Sequence, residues 1–188
     1  MEHKGTKRLE TERLILRRFI DSDAELMYNN WASDPEVSKY LTWPTHTSVE
    51  VTKSLVTDWI SRYENPNYYN WVIELKENGD IVGNISVIEV TEKIEAAEIG
   101  YCIGRAWWGK GIMPEALTVV MDYLFDEVGM NRVFARHNIS NPKSGRVMQK
   151  AGMKYEGTLR GAARNHQGFY DLVYYGLLKS DRDERPEQ

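Results

Sequence analysis

Residues 104–129, GRAWWGKGIMPEALTVVMDYLFDEVG, join a glycine-rich turn directly to an amphipathic segment. Apolar residues recur in this segment at spacings of three and four, which predicts a helix with one apolar face packed on a core. Gly129 is expected to end the helix. Glycine turns in front of a helix often hold an anion, so the turn is also a candidate binding site. The predicted apolar face consists of Leu117, Val120, Met121, Leu124, Phe125 and Val128.

We compared the glycine spacing with three kinds of anion site: a P-loop, a dinucleotide-binding turn and a diphosphate site made of backbone N–H groups. From Gly104 it reads G-x-x-x-x-G-K-G, but a P-loop needs Ser or Thr after the lysine, and Gly111 stands there. A dinucleotide fingerprint fails because residue 114 is proline. A diphosphate held by backbone N–H groups remains, because no side chain caps a helix that begins near Met113, and Gly109 and Gly111 permit a close approach. An ordinary strand-to-helix turn fits the spacing equally well.

Composition places the 188-residue chain among soluble globular proteins, with 41% apolar and 28% charged residues. The net charge of −4 without a dense Lys/Arg run argues against binding to nucleic acid or to an anionic membrane. The single Cys102 excludes an intrachain disulfide, and no apolar run is long enough to span a bilayer. The N-terminus lacks the apolar segment of a signal peptide. We therefore expect one cytoplasmic domain over residues 1–188, with its core at about 9–178 and a charged tail at 180–188.

Helical and strand patterns alternate along the chain. Asn78-Gly79 between two strand-like segments indicates a hairpin. Capping boxes at Ser22 and Thr47, and Asn141 before a proline, predict helix starts. Hairpins mixed with helices predict an α/β (α+β) domain whose mixed sheet is largely antiparallel, rather than a doubly wound parallel sheet. The predicted strands are residues 13–19, 70–75, 81–90, 96–104, 132–138, 154–161 and 171–179.

Three segments, in this order, carry a family resemblance: EIGYCIGRAWWGKGIMPEAL, NISNPKSGRVMQKAGMKYEGTL and GFYDLVYYGLL. They resemble the GNAT N-acetyltransferases, in the branch of the ribosomal-protein-alanine (RimJ/RimL-like) enzymes, and the resemblance extends over about residues 9–178. It implies the GNAT fold, a single domain with a mixed, largely antiparallel central sheet flanked by helices. It also implies an acyltransferase that uses acetyl-CoA as cosubstrate and no metal.

The resemblance further implies which residues bind acetyl-CoA. In the family, the glycine turn binds the pyrophosphate and the preceding strand bonds the pantetheine arm. Met113 is bulkier than the Gly or Ala that the superfamily pattern has at this position. The residues implied here are Ile103, Trp108, Gly109, Lys110, Gly111, Ile112, Met113, Asn141 and Ser144.

Three residues are candidates for catalysis. Met148 stands where many GNAT enzymes carry a tyrosine that protonates the leaving thiolate, and the resemblance implies Ser144, in Asn141-x-x-Ser144, as its substitute. Glu98, on the strand that leads into the glycine turn, is the first candidate for the general base, and His137, which titrates near neutral pH, is the second. Each has a structural alternative: a surface carboxylate for Glu98, a packed histidine for His137 and a polar residue of the first helical turn for Ser144. For Asn141 the alternative is a helix cap.

The acceptor is expected to be a primary amine, with a protein N-terminal α-amine favoured. An α-amine with a pKa of about 7.7–8 is partly neutral at pH 7, whereas neutralising a lysine costs roughly 4–5 kcal/mol. Recognition is expected from residues 33–47 and from a loop at 160–171. A small-molecule acceptor (amino acid, polyamine or antibiotic) and a non-catalytic acetyl-CoA sensor are the alternatives, and a monomer or a homodimer is expected. Six aromatic residues could line an acceptor slot or pack in the core: Trp31, Tyr40, Trp43, Tyr68, Tyr69 and Trp71.

Overall fold

The computed structural model describes residues 1–165 and 168–184. Its helices are α1 (Asp23–Met27), α2 (Pro35–Ser38), α3 (Val49–Arg62), α4 (Ile112–Tyr123) and α5 (Pro142–Lys150). Among the described residues, none of the helices combines the length and the apolar character that a membrane span requires. The strands are β1 (Leu9–Glu10), β2 (Leu14–Arg17), β3 (Asn70–Leu75), β4 (Ile81–Thr91), β5 (Ala96–Ile103), β6 (Arg132–Asn138), β7 (Lys154–Asn165) and β8 (Gly168–Leu178).

The eight strands form one sheet in the order β1-β2-β3-β4-β5-β6-β8-β7. Within the described ranges, every neighbouring pair is antiparallel except β5 and β6. That parallel pairing covers only residues 96–98 with 132–134. The prediction of a mixed, largely antiparallel sheet is therefore confirmed, and its single parallel step joins the two halves of the sheet.

Helices cover both faces of the sheet. In β3, Trp71 and Ile73 point into one core and Val72 into the other, as the period of two in a strand requires. Helices α4 and α5 pack on the first face, where Met148 of α5 is buried. Helices α1 and α3 pack on the second face, to which Val56 of α3 contributes. We refer to these as the α4/α5 face and the α1/α3 face.

Helix α4 and the π-helical turn that continues it, Leu124–Val128, confirm the face predicted from the periodicity, since the six residues of that face are 0–1% exposed. Helix α4 begins at Ile112, one residue before Met113. Gly111 precedes it with a φ of 75°, and Gly129 follows its last turn with a φ of 82°, so both ends use the left-handed region that favours glycine.

Both predicted capping boxes are wrong. Ser22 precedes α1 but its side chain caps no backbone N–H, and α3 begins after Ser48 rather than Thr47. Near α1 the buried acceptor is instead the carboxylate of Asp23, which receives both terminal nitrogens of Arg17 at 2.7 and 2.9 Å. This ion pair ties the start of α1 to β2 of the sheet.

The loop predicted at residues 160–171 is also wrong, because β7 continues to Asn165 and β8 begins at Gly168. Cross-strand contacts stabilise this extension: the Arg164 guanidinium lies 5.3 Å from the centre of the Phe169 ring opposite it. His166 and Gln167 of the predicted loop lie outside the described residues.

The start of the predicted charged tail packs against the domain. Residues 179–184 form a 3-10 turn after β8. Arg182 pairs with Asp126 and lies 3.4 Å from an oxygen of Asp122 on α4, while Lys154 pairs with Asp181 at 3.5 Å. Residues 185–188 lie outside the described part of the chain.

Helix α5 lies so close to β6 that a side chain at position 145 would clash with the sheet. A Cβ atom at Gly145 would lie 2.7 Å from Nε2 of His137. The imidazole is held in place, because its Nδ1 lies 2.8 Å from the carbonyl oxygen of Asn138 and its ring stacks on Tyr175. Gly145 therefore sets how closely the first turn of α5 docks on the sheet.

Replacing Gly145 by alanine is expected to destabilise the protein by about 1–3 kcal/mol through overpacking against His137. In a His137→Ala background the same change should be neutral or slightly stabilising, since alanine favours helices and the ring is gone. Urea unfolding of the four proteins measures both effects. Equal costs in the two backgrounds would show that this contact is not the cause.

Candidate active site

The candidate site is the space that opens between β5 and β6 beyond their short parallel ladder. β5 keeps its antiparallel pairing with β4 as far as Ile103, and β6 keeps its pairing with β8 as far as Asn138. Each strand therefore turns a backbone edge toward the space between them, which we call the β5–β6 cleft (residues 99–103 and 135–138). The glycine turn follows β5, and α5 follows β6, so both begin at the open end of the cleft.

The glycine turn has the geometry of an anion cradle. Gly109 and Gly111 have φ values of 78° and 75°, and a Cβ at Gly109 would meet nothing within 4 Å. Gly111 is the N-cap of α4, and no side chain caps the helix there. The free N–H groups of residues 109–113 and the positive end of the helix dipole therefore suit a diphosphate, and the residues present fit the pyrophosphate of acetyl-CoA.

The bulk of Met113 does not enter the turn. Met113 is 3% exposed and Ile112 is 4% exposed, and both side chains belong to the core on the α4/α5 face. Only their backbone groups are therefore available to a ligand in the turn. Two surface cavities flank the turn, one of about 420 Å³ that includes Lys110 and one of about 650 Å³ that includes Gly111 and Lys150.

An anchor that the sequence analysis missed ties the turn to the start of β2. Arg13 donates from Nη1 to the carbonyl oxygen of Lys110 at 3.1 Å and from Nε to Glu115 at 2.7 Å. The other oxygen of Glu115 accepts the hydroxyl of Thr11. The contacts join residues about a hundred positions apart, so no local pattern could have identified them. They fix the position of the turn relative to β2.

Trp108 links the end of β5 to the first turn of α5. Its Nε1 donates to the carbonyl oxygen of Ile103 at 2.9 Å. The ammonium of Lys143 lies 4.6 Å from the centre of the indole ring, a cation–π distance. Two of the sequence-predicted positions, Ile103 and Trp108, are thus brought together at the mouth of the cleft.

Ser144 lies in the first turn of α5 and contacts β5 across the cleft. Its Oγ is 3.0 Å from the hydroxyl of Tyr101, and its carbonyl oxygen is 2.9 Å from the same hydroxyl. Burial raises the pKa of the Tyr101 phenol well above its usual range, so the group stays protonated. Asn141 is the N-cap residue of α5, but its side chain makes no capping hydrogen bond. The sequence analysis did not single out Tyr101.

Glu98 is a buried ion-paired carboxylate rather than a surface one. It is 3% exposed, and Arg136 donates to its Oε1 at 2.7 Å. Burial raises the pKa of Glu98, while Arg136 acts in the opposite direction. Because side chains alternate along β5, Glu98 lies on the α1/α3 face and Tyr101 on the α4/α5 face. The carboxylate and the Ser144 hydroxyl therefore lie on opposite faces of the sheet.

The structure does not bring His137 together with Glu98. His137 packs beneath α5 on the α4/α5 face, with the contacts to Asn138, Gly145 and Tyr175 described above. Burial lowers its pKa, which favours the neutral imidazole. This is the environment of a packed structural histidine.

The aromatic residues considered for an acceptor slot divide into two groups. Trp31, Tyr69 and Trp71 are at most 1% exposed and belong to the cores. Tyr40 and Trp43, in the segment between α2 and α3, and Tyr68, before β3, are half-buried. These three keep surface that an acceptor could contact.

Known proteins are similar to this chain in sequence. Residues 13–154 match the family described as "Acetyltransferase (GNAT) domain". The N-acetyltransferase YoaA of Bacillus subtilis, itself uncharacterized, is 32% identical over 171 residues, which cover 91% of this chain and 96% of YoaA. The ribosomal protein uS5 alanine N-acetyltransferase of Escherichia coli is 28% identical over 159 residues, 80% of this chain and 79% of that protein.

The fold agrees with a solved structure as well. RimL, a ribosomal L7/L12 alpha-N-protein acetyltransferase solved in complex with coenzyme A, superimposes with a TM-score of 0.82 at 20% identity, over 92% of this chain and 98% of that one. The family match spans most of the chain and the first relative exceeds 30% identity over nearly all of it. The resemblance read from three sequence segments is thereby confirmed: the chain belongs to the GNAT family of N-acetyltransferases.

Proposed function

We propose that this enzyme transfers the acetyl group of acetyl-CoA to the α-amine of a protein N-terminus in the cytoplasm. The observation that carries the proposal is the β5–β6 cleft, with an uncapped glycine turn at its mouth and Glu98 and Ser144 on opposite faces of the sheet. The E. coli relative, whose name states alanine N-acetylation of a ribosomal protein, supports a protein acceptor.

Backbone groups bind the cosubstrate in this proposal. The N–H groups of residues 109–113 hold the pyrophosphate, and the β5 edge that ends at Ile103 receives the pantetheine arm. Acetyl-CoA supplies an acetyl group activated as a thioester. N–H groups on the β5 edge face the cleft without a strand partner and act as donors to the carbonyl oxygen as negative charge develops on it.

Glu98 is assigned the role of general base, which accepts the proton that the amine loses. Burial strengthens the carboxylate as a base by raising its pKa, and Arg136 keeps the ionised form accessible. Ser144, on the other face, donates its hydroxyl toward the sulfur. A carboxylate base is weak, and this agrees with an α-amine acceptor, whose neutral form is already present near pH 7.

A pair of glycine variants tests the assignment of the turn as the binding site. Gly111→Val forces a β-branched residue into a φ of 75° and should abolish acetyl-CoA binding while the core stays folded. Calorimetric titration with acetyl-CoA, with ATP and magnesium as the ligand control, measures the affinity. Gly79→Val is the matched variant, because Gly79 has a φ of 76° in a distant hairpin and should leave the affinity unchanged. Undiminished binding by Gly111→Val would refute the assignment of the turn.

Replacing Glu98 by glutamine tests the base. Turnover with N-terminal peptides should fall about 100-fold, because general-base catalysis contributes on the order of 10²–10⁴. KM for acetyl-CoA should stay within about 2-fold, because the proposed cosubstrate contacts are backbone groups elsewhere in the cleft. Glu64→Gln, which alters an exposed carboxylate in the segment between α3 and β3, is the control. Equal activity of the two variants would remove Glu98 from the mechanism. If the wild-type enzyme acetylates amino acids, polyamines or antibiotics in preference to peptides, the acceptor is a small molecule rather than a protein N-terminus.

A further inference from the structure

Tyr101 is a partly buried polar residue at the cleft for which the proposed function has no role. Its hydroxyl reaches across the β5–β6 cleft from the central strand to α5 and lies within hydrogen-bond distance of two atoms of one residue, Ser144 Oγ at 3.0 Å and Ser144 O at 2.9 Å. Tyr101 belongs to the strand that leads into the glycine turn, so the contact joins both sides of the cleft.

The carbonyl oxygen of Ser144 cannot donate, so its 2.9 Å contact is a donation by the Tyr101 phenol. If the phenol donates to the carbonyl oxygen alone, the phenol oxygen can accept the serine proton, which is then not available to a third group. If the phenol proton is shared between the carbonyl oxygen and Ser144 Oγ, the serine keeps its own proton for a third group. The carbonyl oxygen of Ser144 also lies in a helix, where N–H groups of the next turn serve as its donors.

We propose that Tyr101 is a positioning residue that donates its phenolic proton to Ser144 Oγ, so that the serine hydroxyl is aimed at, and polarised toward, a sulfur atom bound in the β5–β6 cleft. This inference rests on the proposed use of acetyl-CoA. It assigns hydrogen-bond donation and no net proton transfer: the sulfur takes the electron pair of the broken C–S bond, and the proton lost by the amine leaves through the base.

The serine hydroxyl can stabilise the CoA thiolate by donating a hydrogen bond, without acting as an acid that gives up its proton. A thiol has a pKa of about 8.5, so a serine hydroxyl, which is far less acidic, cannot release its proton to the thiolate outright. It can stabilise the charge through a charge-assisted hydrogen bond, which a second donor on Oγ strengthens. The N-terminal turn of α5, to which Ser144 belongs, adds a positive dipole in the same place.

Burial keeps Tyr101 available as a donor across the working pH range, because it raises the phenol pKa. The Cys102 thiol next to Tyr101 in the sequence does not ionise in the pH range in which the CoA thiol is measured. Cys102 points to the other face, donates to Oδ1 of Asn84 at 2.9 Å, and burial raises its pKa to about 12. Thiolate formed at lower pH in a complex with CoA is therefore the thiolate of CoA.

The test is the pKa of the CoA thiol bound to the protein, followed by the ultraviolet absorbance of the thiolate against pH, with no acceptor present. In the wild-type complex this pKa should lie about 1 below that of free CoA. Tyr101→Phe and Ser144→Ala should each remove most of that difference, and the double variant should add nothing to Ser144→Ala. Tyr175→Phe is the matched control, because it removes a phenol that contacts Gln149 of α5 rather than Ser144, and it should behave as wild type.

Turnover provides the second readout. Tyr101→Phe should lower kcat about 10-fold and leave KM for acetyl-CoA within about 2-fold, whereas a merely structural role would change both or lower the unfolding temperature. An unshifted thiol pKa in the wild-type complex, or a wild-type value in Tyr101→Phe with a loss in Ser144→Ala, would overturn the assignment. A lowered thiol pKa that depends on both Tyr101 and Ser144 would support the role of Tyr101 even if no peptide is acetylated. Absence of peptide acetylation alone would refute only the proposed acceptor. Absence of CoA binding would refute both proposals.

Discussion

The end of the parallel ladder between β5 and β6 is the constraint on which the rest of the site depends. After residues 98 and 134 the two strands no longer pair with each other, yet neither can relax back, because β4 holds β5 and β8 holds β6 in antiparallel ladders to their last residues. The sheet thus keeps an internal edge, which a folded protein normally covers. A ligand that supplies hydrogen-bond partners along its length is a natural occupant of such an edge, and the pantetheine arm contains amide groups of this kind.

Helix α5 maintains this opening from one side. Three residues separate it from the end of β6, and the absence of a side chain at Gly145 lets it pack on the ring of His137. That docking places Ser144 against Tyr101 of the opposite strand. The histidine considered as a base on the grounds of its residue type therefore acts in packing, and its lowered pKa follows from the same burial.

Sequence reasoning succeeded where the determinant is local. The period of α4, the glycines at both its ends and the Asn78-Gly79 hairpin are properties of short segments, and the structure agrees with each. It failed where a residue acts through a partner distant in the chain. Arg13 on Glu115, Tyr101 on Ser144 and Arg136 on Glu98 join positions 38 to 102 residues apart. The prediction of a loop at residues 160–171 failed for a related reason, because the cross-strand pairing of residues 163–165 with residues 168–170 outweighs a polar, glycine-containing composition.

The alternation of side chains in a strand explains how a single segment can serve two chemical tasks. Residues 98 and 101 are three positions apart in β5, so their side chains lie on opposite faces of the sheet. Each side chain is desolvated by the elements that pack on its own face. Burial raises the pKa of both groups, but with opposite consequences: the carboxyl becomes a better base, and the phenol becomes a more persistent donor. No charged residue adjacent in sequence is needed for either effect. The pKa shifts of both groups therefore follow first from packing, and any change that lifts α5 from the sheet would remove the proposed donor while leaving the proposed base in place.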